Sequence, residues 1–200
     1  MWFLNYSNVI DPLLKDLRVF IVKFVEVKAE DRVLDVCCAT GDQVFHYARA
    51  GAIATGIDSN PRMIEIAVKK QERYRLDNVY FQVADAAKLP FEDSVFDIAS
   101  ISLGLHEVER KVRDKIISEM KRVVKKSGHL IFIDFHFPLP KTYIAYLIKG
   151  IEYFAGKRHY KNFRDYLQQG GLPALLKKNN LKKAKRIKNG LFTIIKTKNV

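Results

Sequence analysis

Cysteine is nearly absent from this 200-residue chain. Its two thiols, Cys37 and Cys38, are adjacent, and neighbouring cysteines rarely bridge. Two thiols are also too few for the usual zinc sites, so neither a disulfide framework nor a metal is expected. A reducing compartment fits best, and the expected location is cytoplasmic. No apolar run reaches 18 residues, so no spanning helix is implied. The start, Met1-Trp2-Phe3-Leu4-Asn5-Tyr6, lacks a basic stretch and a small-residue cleavage site, so secretion is not expected. Acid is scarce at one end. Residues 141–200 carry 2 Asp+Glu against 15 Lys+Arg, whereas residues 1–140 carry 20 of each. The whole net charge of +13 therefore lies in the final segment. A basic end on a neutral body suits an anionic surface such as membrane headgroups, RNA or an acidic substrate; a solvated lysine-rich face is the plainer reading. Repeats, low-complexity tracts and long linkers are missing too, and the length suits one domain.

What is present reads as alternating strands and helices. Asp11-Pro12 is a cap and first-turn proline, followed at helical spacing by Leu13, Leu14, Leu17, Phe20, Ile21 and Phe24. Apolar strands are expected at Val33–Cys37, Ile53–Ile57, Val79–Val83, Val95–Ser102 and Leu130–Ile133. Helices are expected from Gln43 to Ala50, after the cap Asp58-Ser59-Asn60-Pro61, and from Val108 to Val124, where Ser127-Gly128 breaks the pattern. The second of these should bury Met63, Ile64, Ala67 and Val68. Five βα units with apolar strands imply a parallel sheet covered on both faces. Tyr143–Phe154, Asn162–Gln168 and Leu172–Asn179 read as helical, and Asn189-Gly190 between two short runs is a hairpin signal. The expected organisation is a helical cap over 1–30, a core over 31–135, a helical insertion over 136–180 and a closing hairpin over 181–200.

Ligands of open α/β sheets sit beyond the carboxyl ends of the strands. After the first strand stand Cys37, Cys38, Ala39, Thr40, Gly41 and Asp42; after the second, Asp58; after the third, Asp85 and Ala86. An acid at the second position can accept both hydroxyls of a ribose, and one at the third can accept from an exocyclic amine. A dinucleotide fingerprint needs G-x-G-x-x-G, and this loop offers C-x-A-x-G with no third glycine in place. Asp35 would repel a pyrophosphate, and it suits a ligand bearing an ammonium group. Ribose, adenine and an amino-acid tail together describe S-adenosylmethionine.

The stretches VLDVCCATG, GIDSNPRMIEIA, VYFQVADAAKLPFEDSVFDIASISLGL and EMKRVVKKSGHLIFIDF resemble, in order, the motifs of class I S-adenosylmethionine-dependent methyltransferases. The similarity is greatest to the ubiquinone/menaquinone C-methyltransferase branch and covers residues 30–135. It implies a three-layer α/β sandwich on a seven-stranded, mostly parallel sheet whose last strand is antiparallel, a Rossmann-like methyltransferase fold. By the same resemblance, Asp35 and the loop Cys37, Ala39, Thr40 and Gly41 hold the methionine part, with Thr40 as a side-chain contact. Asp58, with Ser59 and Met63 beside it, binds the ribose, Asp85 and Ala86 bind the adenine, and Ser102 lies near the reacting sulfur. Cys37 and Ala39 stand where the family usually has its first two loop glycines.

Methyl transfer needs a positioned nucleophile, and a base only where the acceptor must lose a proton. His106 and His136 follow the fourth and fifth strands and are the candidates for a base or an acceptor-orienting group, against the alternative of hydrogen-bonded structural histidines. The aromatic segment Lys141–Gln169 is either a lid over an apolar acceptor or core packing. His159-Tyr160, in a polar loop context, and Tyr6 are the expected acceptor-pocket residues. Cys37 and Cys38 read as packing residues, since the motif has no histidine or lysine to lower a thiol pKa. The expected partner is a small apolar or amphipathic acceptor, quinol-like or lipid-like, with peripheral contact to anionic membrane through the basic end. An RNA methyltransferase and a non-catalytic S-adenosylmethionine-binding protein are the alternatives; no RNA-binding module is evident, and nucleic acid is not the expected partner.

Overall fold

A computed structural model describes residues 11–154 and 156–199. Helix α1 (Asp11–Val25) leads into β1 (Arg32–Val36), α2 (Asp42–Arg49), β2 (Ile53–Asp58), α3 (Pro61–Tyr74) and β3 (Val79–Val83). Then come β4 (Phe96–Ser102), α4 (Arg110–Val123), β5 (Val124–Phe135), α5 (Tyr143–Phe154), α6 (Lys157–Gln168), α7 (Gly171–Lys178), β6 (Lys183–Asn189) and β7 (Phe192–Lys198). The strands form one seven-stranded sheet in the order β3-β2-β1-β4-β5-β7-β6. β1 through β5 run parallel, and β7 is antiparallel to both of its neighbours. This is the three-layer sandwich expected from the sequence.

The layers follow from where the apolar residues fall. β1 is buried from Val33 to Val36, as a strand covered on both faces must be. On one face Leu17, Ile21 and Phe24 of α1, Val44 and Phe45 of α2 and Ile64 of α3 pack on Val33, Ile98 and Ile131. On the other, Ile116, Ile117 and Met120 of α4 and Leu172 and Leu176 of α7 pack on Leu34, Leu130 and Phe132. Asn60 caps α3, its Oδ1 accepting from Arg62 N at 3.1 Å ahead of Pro61.

Several expectations shift, but not that for residues 84–95: no helix is read there, and they cross from β3 to β4 as a loop. Arg122 of α4 pins it, donating to the carbonyls of Leu89 at 3.0 Å and Phe91 at 2.7 Å. Ile64 and Ala67 are buried, but Met63 is half-buried and Val68 exposed, because the apolar stripe of α3 is narrower than four residues. Ser127-Gly128 does not end an element. Strand β5 continues through it with a register shift, where a Cβ on Gly128 would lie 2.4 Å from the Asp97 carbonyl. The closing hairpin pairs Asn189 with Phe192, so its two loop residues are Gly190 and Leu191, one step past the expected turn, and Gly190 alone takes a positive φ. His159 and Tyr160 lie within α6, not in a loop. Tyr6 lies outside the described residues. Among the described residues, no helix is long and apolar enough to cross a membrane.

The loop after β1 is wound tightly. Cys37 (φ 58°), Ala39 (φ 48°) and Gly41 (φ 79°) are all left-handed. Gly41 cannot be otherwise, since a Cβ there would sit 2.5 Å from the Phe81 ring. Ala39 takes the same conformation against the preference of L-residues, a cost of about 1–2 kcal/mol. Two substitutions in one loop should therefore move stability in opposite directions. By urea denaturation, Ala39→Gly is expected to raise the unfolding free energy by about 1 kcal/mol, and Gly41→Ala to lower it by at least about 2 kcal/mol.

Candidate functional site

Three acids stand at the carboxyl ends of three adjacent strands. Asp35 belongs to β1, Asp58 ends β2 and Asp85 lies just past β3. Asp58 grips the left-handed loop: its Oδ2 accepts from Ala39 N and its Oδ1 from Asn60 N, both at 2.9 Å. Its own carbonyl accepts from Ala84 N at 3.1 Å, which draws the end of β3 alongside. Asp85 is exposed, with Oδ1 accepting from Ala87 N at 2.9 Å, and Ala86 beside it is buried. Asp35 is buried and accepts from Ser100 Oγ at 2.6 Å across the β1–β4 pair. Burial pushes its carboxyl up to about 7, against the Ser100 hydrogen bond and the Arg18 charge. All three acids, with Glu107, act on Cys37. Desolvation and then these charges raise its thiol far above the ordinary range, so the sulfur is a protonated packing group and no nucleophile.

Between the ends of β1 and β4, where the strand order reverses, a cleft opens with about 420 Å³ of empty space, solvent mouth included. Asp35, Cys37, Cys38, Ala39, Gln43 and Ser102 line it. Its far wall is α1, through Leu14, Leu17, Arg18 and Ile21. The helix is tied over the loop by Arg18 Nη1, 2.9 Å from Asp42 Oδ2. Two polar atoms on the lining, Gln43 Oε1 and Ser102 Oγ, are buried with no partner among the described residues. Unpartnered buried acceptors and hydroxyls beside a raised carboxylate fit a polar ligand carrying donors and a positive charge. An amino-acid tail with an ammonium group meets that requirement.

Other expected residues lie elsewhere. Thr40 is buried with Oγ1 accepting from Lys70 Nζ at 3.0 Å, turned beneath the loop by its left-handed neighbours, and does not line the cleft. Ser59 is exposed and Met63 half-buried at the start of α3, outside the cleft lining. His136 is engaged by β7: its Nδ1 bonds Thr193 Oγ1 at 3.0 Å, and its backbone N donates to the Leu191 carbonyl at 2.7 Å. Burial and then Lys188 and Arg186 hold it below the ordinary histidine range. It lines no part of the cleft.

His106 is 2% exposed. Its Nδ1 is 2.7 Å from Asp134 Oδ1, and its Nε2 is 3.7 Å from Glu152 Oε1 on α5. Rings of Phe135, Phe163 and Tyr166 stand 4.8, 5.7 and 6.2 Å away. Burial would depress its pKa, but the charge and hydrogen bond of Asp134, with Glu107 and Glu152, outweigh burial and raise it to about 9. Nδ1 is thus committed to Asp134 and Nε2 faces Glu152, and the ring lies inside the fold, off the cleft lining. His159 hydrogen-bonds Glu152 Oε2 through Nε2, which raises its pKa. Tyr160 is half-buried against Tyr153, ring centroids 5.4 Å apart.

Sequence reading missed three participants. The cleft face of α1 carries only an amphipathic pattern, which does not name what it covers. Glu152 is hidden in an apolar helix. Glu107 is exposed, yet within electrostatic reach of Cys37 on one side and of His106 and His159 on the other. Its place directly after His106 was the available signal.

Comparison with known proteins agrees with this geometry. The methyltransferase domain family matches residues 33–128. The ubiquinone/menaquinone biosynthesis C-methyltransferase UbiE of Citrifermentans bemidjiense is 34% identical over 147 residues, 70% of this chain and 62% of that protein. A demethylmenaquinone methyltransferase of Bacillus cereus is 32% identical over 161 residues, 76% of this chain and 66% of that protein. The chain thus spans slightly less than two thirds of these curated relatives. A SAM-dependent methyltransferase from Aquifex aeolicus superposes with a TM-score of 0.69 at 18% identity, over 92% of this chain and 89% of the other. Geranyl diphosphate C-methyltransferase from Streptomyces coelicolor, solved with Mg2+, geranyl diphosphate and S-adenosyl-L-homocysteine, superposes at 0.67 and 14% identity, over 94% and 81%. Motif order and relatives agree, and residues 33–128 belong to the methyltransferase domain family.

Proposed function

We propose that this chain binds S-adenosylmethionine in the cleft between β1 and β4 and transfers its methyl group to a small quinol-like or lipid-like acceptor. The observation that carries the reading is the ring of Asp35, Asp58 and Asp85 at adjacent strand ends around one left-handed loop. The cofactor supplies a sulfonium methyl open to in-line displacement. Asp35, Gln43 and Ser102 are the groups for the amino-acid tail and the sulfur side, and Cys37 and Ala39 offer backbone at close approach. Asp58 keeps a free lone pair on each oxygen for the two ribose hydroxyls after binding Ala39 and Asn60. Ser59 and Met63 flank it, and Asp85 with Ala86 takes the adenine. Gly41 sets the turn, and Thr40 supports it from below through Lys70.

On this reading the described part of the cap is 11–30, the core 31–135 holds the cofactor, 136–180 is the acceptor side and the hairpin after 181 closes the sheet. His106 acts here as a positioning residue that locks the end of β4 to β5 and α5, and Glu107 is the carboxylate free to accept from an acceptor hydroxyl. His159 and Tyr160 border that side. The UbiE and demethylmenaquinone methyltransferase relatives support the quinol-like acceptor.

The outer face of α5 supports a membrane contact. Tyr143, Tyr146, Tyr153 and Phe154 are 61–79% exposed, and Lys141, Lys149, Lys157 and Arg158 are exposed around them. Amphipathic aromatics among basic residues suit the headgroup region of an anionic bilayer. Each nearby basic residue adds about 1 kcal/mol there.

Labelled methyl from S-adenosylmethionine is expected to appear on a reduced naphthoquinone and not on mixed RNA; cofactor binding without transfer to any acceptor would leave the non-catalytic alternative standing. The pH dependence has a definite sign. The folded pKa of Asp35 is raised, so its protonated form favours the unliganded fold, and that contribution fades as pH rises from about 4 through about 7. A bound ammonium group reverses the preference. Calorimetry of S-adenosylhomocysteine binding at pH 6, in buffers of different ionisation enthalpy, should show nearly one proton released per ligand. The release should vanish above pH 8 and in Asp35→Asn, and below pH 7 the affinity should fall by about tenfold per pH unit. In vesicle co-sedimentation, the pair Tyr153→Ala and Phe154→Ala should weaken binding to anionic vesicles, and neutral vesicles should bind poorly from the outset.

A further inference from the structure

Helix α5 is amphipathic in the wrong sense for a soluble helix. Its aromatics face outward, while its one acid, Glu152, is 7% exposed and points into the fold. Burying a carboxylate is costly unless something cationic meets it. What meets it is a pair of imidazoles from two other elements: His106 from the loop after β4, and His159 from the first turn of α6. One donor atom from each of the three residues lies within 4.8 Å of the others. Tetrahedral coordination at about 2.0–2.1 Å places ligand atoms about 3.3 Å apart, so side-chain movement of about an ångström closes the set on an ion.

The surroundings are those of a metal centre. The far nitrogen of His106 is held by Asp134, 2.7 Å away and itself fully buried, which fixes the tautomer that leaves Nε2 free to ligate. Phe135, Phe163 and Tyr166 wall the His106 side with apolar surface. Two carboxylates, Asp134 and Glu152, hydrogen-bond the two imidazoles, and once an ion displaces the imidazole protons their charge favours a divalent cation.

We infer that His106, Glu152 and His159 form a binding site for one divalent transition-metal ion of the zinc class, with Asp134 as the outer carboxylate that orients His106. Two nitrogens and one carboxylate oxygen leave a fourth position open. The ion would join the end of β4 to α5 and α6, the elements on the acceptor side of the cofactor cleft.

The test uses the full chain stripped with a chelator and titrated with Zn2+ by calorimetry, with Co2+ as a visible-absorption probe. The expected result is one ion per chain, with a raised melting temperature. Glu152→Gln is isosteric and His159→Ala alters a half-buried helix position, so both variants should keep their circular dichroism. Each should lower the Zn2+ affinity at least about 100-fold, and Asp134→Asn should lower it about 10–100-fold. His46→Ala, on α2 outside the cluster, should leave binding unchanged. Glu152→Gln should also still bind S-adenosylhomocysteine, so failure of the metal site and failure of the methyltransferase reading are separable. No saturable Zn2+ binding to the wild type, or unchanged binding in both Glu152→Gln and His159→Ala, would overturn the assignment.

Discussion

Two hydrogen bonds that Asp58 accepts, from the backbone N–H groups of Ala39 and Asn60, hold the strand-end loops of this molecule together. The loop they restrain passes through three left-handed residues, two of which are not glycine. Such a path persists only where its surroundings over-determine it. The carboxylate at the end of β2 provides that restraint from one side, and the Phe81 ring closes on Gly41 from the other. The wound loop then lets its backbone face the cleft, with Cys37 and Ala39 on the lining and Thr40 turned away beneath it.

The buried acid of β1 extends the same logic. Asp35 sits between Ser100 and the cleft, at the place where the strand order reverses. Burial prevails over the Ser100 hydroxyl and the Arg18 charge and pushes the carboxyl up to about 7. A ligand that brings its own positive charge completes the pair. The Gln43 and Ser102 atoms follow the same pattern, buried polar groups with no partner among the described residues.

Much of this half was legible in the sequence because its signals are local. Apolar runs ending in acids marked β1 and β2, and Asp58-Ser59-Asn60-Pro61 marked the start of α3 by cap chemistry within four residues. The acceptor side was less legible because its signals are not local. That His106 is spoken for by Asp134, 28 residues on, and by Glu152 depends on how β5 and α5 fold back, which no spacing reveals. His136 looked equivalent to His106 from its position after a strand, yet its neighbour is the antiparallel β7, which captures it. Residue types in α5 and α6 pointed to helices but not to which face was buried. Phe163 and Tyr166 are core, whereas Tyr143 and Phe154 face solvent.

The two halves are therefore held by different physics. Around β1 to β3 the structure is packed apolar sheet with a few buried polar atoms that have no partner among the described residues. Around α6 it is fastened by polar ties: Arg113, itself buried, donates to the carbonyls of Leu105 at 2.9 Å and Asn162 at 2.7 Å and pairs with Asp165, binding α4 and the loop after β4 to α6. Asn162 returns a bond to the Glu107 carbonyl at 2.7 Å. Ties of this kind specify one arrangement of α6 over the end of β4 without adding much cohesive area. In helix α5 the inward acid is met by His106 and His159. The charge among those three side chains bears on how firmly α5 is held, and hence on how its exposed aromatic face is presented to its surroundings.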